Sequence, residues 1–226
     1  MTTRIAAWPR HRARDWTIRA GTETMRRILS IAATTLLFAL FSFQVCAQTD
    51  TADDPVTVVN RLQAALADVS SRSSELDFDA RFRELEPVID ASHDFEAIAH
   101  LAGRAFWNEL TDEQRSQFVD AFRRSNIAAY ASRFTADEGV KFDQAAIRDE
   151  LGKRIMVRSY LLRPNGSKAT FDYVLQNPDG HWRIVMVLVD GVSELALKRS
   201  QLTSLYQDSG FQGVMDYLEK EASGEQ

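Results

Sequence analysis

Cysteine is nearly absent from this chain: there is one, Cys46, in 226 residues. It lies just past an uncharged apolar run in the leader, so a chain cut behind that leader would have no disulfide and would rely on a packed core. Metal-binding patterns are missing as well. There is no HExxH and no Cys-His set, and the histidines beyond the leader are His93, His100 and His181. Asp94 starts a new helix between the first two, so a zinc site is not expected and capping or exposed roles suit these side chains better. No G-x-S-x-G elbow occurs, Asp190-Gly191-Val192-Ser193 does not imitate one, and no glycine-rich loop is present to cradle a phosphate. The acid pairs Asp112-Glu113 and Asp149-Glu150 fall at a helix start and near a strand end, where solvation and the helix dipole account for them. With no nucleophile and base in view, the chain does not read as an enzyme. No cofactor or metal is expected.

Long apolar runs are also scarce. The best is Ile28 to Phe43, 16 residues without charge, short of the roughly 20 that span a bilayer. Behind Arg26 and Arg27, and ahead of the small-residue site Val45-Cys46-Ala47, it reads as a secretory signal peptide cut near Ala47. Residues 1–24 then read as an upstream extension, because a natural n-region begins at Met25. A retained membrane anchor is the alternative. A lipoprotein signal is excluded by the bulky Phe43-Gln44-Val45 before Cys46. The mature protein is thus expected outside the cytoplasm, where there is no ATP or NADPH pool.

Positive charge is concentrated in the leader. Seven of the 27 basic residues and two of the 32 acidic ones fall within positions 1–47, leaving 20 against 30 and a net charge of about −10 on residues 48–226. That balance argues against nucleic acid as a partner and against adhesion to anionic headgroups. The remaining 179 residues suffice for one domain.

Helical spacing governs the first part of that domain. Pro55 behind Asp53 and Asp54 opens a helix carrying Val58, Leu62, Ala65, Leu66 and Val69. Phe78 to Ile89 forms a second, and Ser92 or Asp94 caps a third with Phe95, Ile98, Leu101 and Ala102, ending at Gly103. Thr111-Asp112-Glu113-Gln114 is a capping box for a long helix to Phe134, and Gly139 closes this half. From residue 140 the period becomes 2. Strands are expected at 140–147, 154–163, 170–176 and 182–189, with turns at Pro164-Asn165-Gly166 and Asn177-Pro178-Asp179-Gly180. Two closing helices, 195–208 and 211–222, flank Gly210. The order predicts an α+β fold: N-terminal helices, a four-stranded antiparallel curved sheet and C-terminal helices. Such a layout commonly encloses a pocket between sheet and helices.

Asp94-Phe95 through Phe106-Trp107, Leu110-Thr111 through Gln117-Phe118, Phe122 and Tyr130-Ala131 resemble the MlaC family. So do Trp182-Arg183-Ile184, Val189-Asp190-Gly191-Val192-Ser193 and Arg199-Ser200-Gln201-Leu202, and the likeness covers residues 55–222. These proteins are periplasmic lipid-binding components of an ABC transport system, also known as toluene-tolerance auxiliary proteins. The segment from Ser193 to Ser200 looks closer to a hopanoid-biosynthesis-associated, HpnM-like branch. Family members often carry an acidic residue in the tryptophan strand where this chain has Met186.

The resemblance implies a non-catalytic, monomeric carrier with an apolar cavity for a phospholipid or a hopanoid. It also implies partners at two membranes, an inner-membrane ABC/MCE-type or RND-type complex and an outer-membrane complex. Strand parity and helix facing put Phe118, Phe122, Tyr130, Val157, Phe171, Tyr173, Ile184, Met186 and Leu188 on the cavity wall as the expected lipid-binding residues. A one-residue slip would turn the strand set outward. An adaptor or assembly factor, whose apolar face serves a protein partner, is the alternative reading.

Overall fold

Carboxylates and hydroxyls start the helices of the first half. The computed structural model describes residues 53–135, 140–162 and 166–224; the leader, Gly139 and the turn residues Pro164 and Asn165 lie outside the described residues. Asp54 accepts from the amides of Val56 (3.0 Å) and Thr57 (3.1 Å) and caps α1 (Pro55–Ser71), with the proline in its first turn. Asp77 caps α2 (Phe78–Ser92) and Asp94 caps α3 (Phe95–Ala102). The Thr111 hydroxyl accepts from Gln114 N–H while the Gln114 side chain accepts from Thr111 N–H, which starts α4 (Asp112–Arg133). Each such cap is worth about 1 kcal/mol.

The sheet has six strands, against the four expected: β1 (Lys141–Phe142), β2 (Ala146–Leu151), β3 (Arg154–Leu162), β4 (Lys168–Gln176), β5 (Arg183–Val189) and β6 (Val192–Ser193). All pairings are antiparallel, and β1 and β2 both pair with β3. The single strand expected at 140–147 is divided because the Asp143 carboxylate accepts from the next amide, Gln144 N–H, and turns the chain. β6 is a two-residue return that pairs Leu188 with Ser193.

Register decides which side chains face the helices. Ser159 lies opposite Phe171 and Val157 opposite Tyr173, and this face is covered by α1, whose Gln63 amide donates to Ser159 Oγ and, at 3.2 Å, to Tyr173 Oη. On the other face Arg158 lies opposite Asp172 and Asp172 opposite Leu188. Asp172 is 3% exposed there, held by Arg158 at 2.6 Å and Arg148 at 3.3 Å. Between β4 and β5 the register shifts: Leu175 pairs with Ile184 but Val174 with Met186, so Val185 is an extra residue, a β-bulge.

The closing helix α5 (Glu194–Ala222) is broken at Gly210, whose φ of 64° and ψ of −163° reverse the chain at the expected position. Its second half returns along the first. Lys198 from the outgoing half bonds both oxygens of Glu221 at 2.7 Å, and Tyr217 Oη at 3.2 Å, on the returning half.

Candidate functional site

A cavity of about 480 Å³ lies between the inner face of the sheet, α4 and α5. Helix α4 contributes Phe122, Ala129, Tyr130 and Phe134; the sheet contributes Leu161, Phe171 and most of β5; Ile98 from α3 and Leu195 from α5 line it too. Aromatic contact is continuous along one wall. Tyr130 stacks on Phe134 (centroids 6.0 Å apart), Phe134 meets Phe142 at 6.3 Å, and Phe142 stands edge-on to Phe171 at 6.0 Å. Such offset and edge contacts favour fixed ring orientations.

Sequence-predicted positions divide into three sets. Phe122, Tyr130, Phe171, Ile184 and Met186 line the cavity. Phe118, Val157 and Tyr173 are almost fully buried in the core: Phe118 packs on Phe106 and Trp107, and Val157 and Tyr173 pair across strands where α1 covers the sheet. Leu188 is turned to the opposite face, beside Asp172, by the bulge at Val185. Beyond the bulge Val187 and Val189 pair with Tyr173 and Phe171 and line the cavity in its place. The run Ile184 to Val189 is apolar at every position, so nothing in it marks the change of parity.

A hydrogen-bonded pair of rings sits in the largely apolar wall. His93, the C-cap of α2, bridges to Ile184, and the next amide, Asp94 N–H, donates to the Ile184 carbonyl at 3.0 Å. His93 Nδ1 lies 3.0 Å from the Ile89 carbonyl, which can only accept, so this nitrogen holds the proton and Nε2 accepts from Tyr130 Oη at 3.2 Å. Burial pushes the imidazole down to about 4, and burial also raises the Tyr130 hydroxyl above its ordinary value. His93 is therefore a neutral, capping histidine. His100 and His181 are exposed.

Charge is confined to the rim. Arg133 meets Glu194 at 3.3 Å and Lys198 meets Glu221 at 2.7 Å, and all four line the cavity. The arrangement is a largely apolar chamber with charged pairs at one edge; inside it are the His93–Tyr130 bond and the side chains of Ser125 and Asn126, which donate to the Phe122 carbonyl. Ser193 is occupied as the cap of α5, accepting from Ala196 N–H at 3.2 Å. Among the described residues no cluster of acids, cysteines or histidines could hold a metal ion, and no helix is long and apolar enough to cross a membrane.

The family model described as MlaC protein matches residues 57–220. The chain belongs to the MlaC family. A curated relative, toluene tolerance protein ttg2D of Pseudomonas putida, is 30% identical over 135 residues, covering 59% of this chain. The match spans about 60% of the length of that relative. A solved structure described as a phospholipid-binding protein from Ralstonia solanacearum, in complex with a phospholipid, superposes with a TM-score of 0.63. It covers 74% of this chain and 93% of its own. At 20% identity the likeness is one of fold, and this MlaC member shares that α+β architecture.

Proposed function

We propose that this protein is a soluble periplasmic carrier that takes a lipid, a phospholipid or a hopanoid, into the cavity between sheet and helices. It would move the lipid between an inner-membrane ABC/MCE-type or RND-type complex and an outer-membrane complex. The carrying observation is the 480 Å³ chamber with an aromatic and aliphatic wall and all of its charged side chains at the rim. Ligand binding to a structural neighbour supports the same reading, since the Ralstonia protein is described with a phospholipid bound.

The physics favours such a device. Each methylene kept from water is worth about 0.8 kcal/mol, so a free lipid leaves a membrane slowly, and a dry chamber lowers that barrier. Five of the residues the sequence analysis put on the wall line this chamber, and they serve as contacts for chains or rings. Transport in this reading needs no chemistry in the carrier. Direction would come from its partners.

Native mass spectrometry of protein purified from its own host tests the proposal. The expected result is a co-purifying lipid that extraction assigns as phospholipid or hopanoid. Protein that stays ligand-free even after incubation with host lipid vesicles would overturn the carrier reading and leave the adaptor role.

A further inference from the structure

The rim of the cavity carries two cations and two carboxylates in alternation. Arg133 on α4 contacts Glu194 at the start of α5, Lys198 lies one turn further along α5, and Lys198 contacts Glu221 on the returning half. Residues four apart on a helix are neighbours on one face, so the four charges form a continuous, balanced set. The two pairs are not alike. Lys198 is firmly committed: both Glu221 oxygens lie at 2.7 Å, and the ammonium sits 5.1 Å from the centre of the Tyr217 ring. Arg133 and Glu194 are both well exposed and meet, among the described residues, through one nitrogen and one oxygen at 3.3 Å. An exposed pair of that kind is weak. It engages one of the five donors of a guanidinium.

We infer that the Arg133–Glu194 pair is a headgroup site that opens to take a zwitterionic phospholipid, its phosphate on Arg133 and its ammonium on Glu194. This rests on the lipid-carrier reading and narrows the ligand class. When the pair opens, both charges stand exposed at the cavity mouth, free to meet the opposite charges of a headgroup. A planar guanidinium matches two phosphate oxygens, and the released Glu194 carboxylate matches an ammonium. An anionic headgroup satisfies Arg133 alone. It leaves Glu194 unpaired beside a phosphate, on a chain whose residues 48–226 already carry a net charge of about −10. Selection therefore comes from the carboxylate as much as from the cation. The Lys198–Glu221 pair stays closed and fixes the far side of the rim.

Binding of phosphatidylethanolamine and phosphatidylglycerol with identical fluorescent chains tests the inference on the purified protein and on Glu194→Gln and Arg133→Gln. The wild type is expected to prefer the zwitterion by roughly three- to five-fold at low salt, the range of a surface ion pair. Glu194→Gln should remove the preference by weakening phosphatidylethanolamine, whose ammonium loses its partner, and strengthening phosphatidylglycerol, whose phosphate no longer faces a carboxylate, and Arg133→Gln should weaken both lipids. Equal binding of the two by the wild type, or a preference that survives Glu194→Gln, would overturn the headgroup site while leaving the carrier reading intact. Failure of the wild type to bind either lipid would instead overturn the carrier reading, and this inference with it.

Discussion

Tyr130 donates its hydroxyl proton to Nε2 of His93 across 3.2 Å, inside a largely apolar wall. The bond requires a neutral imidazole, and burial holds His93 at about 4 against an ordinary 6.5. A histidine depressed in the folded state has a definite sign. Above pH 6.5 neither state is protonated there and His93 adds no pH dependence. Between 6.5 and 4 the unfolded chain binds a proton that the folded one refuses, so stability falls as pH falls.

The loss should reach about 3 kcal/mol by pH 4, at about 1.4 kcal/mol per pH unit. Denaturant titrations at several pH values on wild type and His93→Asn would measure it. The readout is the slope with pH, since the variant itself will be less stable. Identical slopes for the two proteins would show that some other group governs the acid limb.

Adjacent residues on β5 should respond in opposite ways to the same charge. Val187 pairs with Tyr173 on the cavity side, whereas Leu188 pairs with Asp172 on the other face. Val187→Lys should therefore abolish retention of a lipid probe. Leu188→Lys, placed beside an acid, should retain it, and both proteins should keep a native-like circular dichroism spectrum. Retention by a folded Val187→Lys protein, or its loss from the Leu188→Lys protein, would contradict the bulge at Val185.

This pair of residues also marks where sequence reading stopped. Caps were legible because each is local chemistry: Asp54, Asp94 and the Thr111–Gln114 box act within three residues of where they stand. Gly210 was legible for the same reason, being a residue suited to a helix break. The cavity wall depends on alternation, and Ile184 to Val189 offers no polar residue by which to count it. Tyr173 and Val157 are expected on the cavity wall from alternation alone, but α1 covers them, and Gln63, 110 positions before Tyr173, gives no local sign of that. The charged rim joins α4 to both halves of α5, a long-range arrangement with no local signature.

Gly103 should tolerate no side chain. A Cβ built there would lie 2.9 Å from a ring carbon of Phe118 and 3.2 Å from one of Phe106, two rings packed edge to face and buried. Neither is a flexible tip that can swing away. Gly103→Ala should cost about 1–3 kcal/mol through overpacking, seen as a lower denaturation midpoint at unchanged m-value. Because Phe118 lies in the core and does not line the cavity, lipid affinity of the folded variant should be unaltered. A midpoint equal to that of wild type would mean that the rings shift freely.

Gly210 presents the opposite case, a glycine required by its backbone and not by its neighbours. Nothing lies within 4 Å of where its Cβ would be, yet φ is 64° and ψ −163°, a region populated almost only by glycine. Gly210→Ala should therefore cost about 1–3 kcal/mol in strain alone. Position 210 is close enough to the end of the chain for semisynthesis with D-alanine, whose mirror-image preference accepts positive φ. D-Alanine should restore the wild-type melting temperature, while L-alanine lowers it and weakens the fold-back that brings Glu221 to Lys198. If both isomers destabilise equally, crowding and not backbone conformation is the cause. If neither does, the break in α5 does not depend on glycine at all.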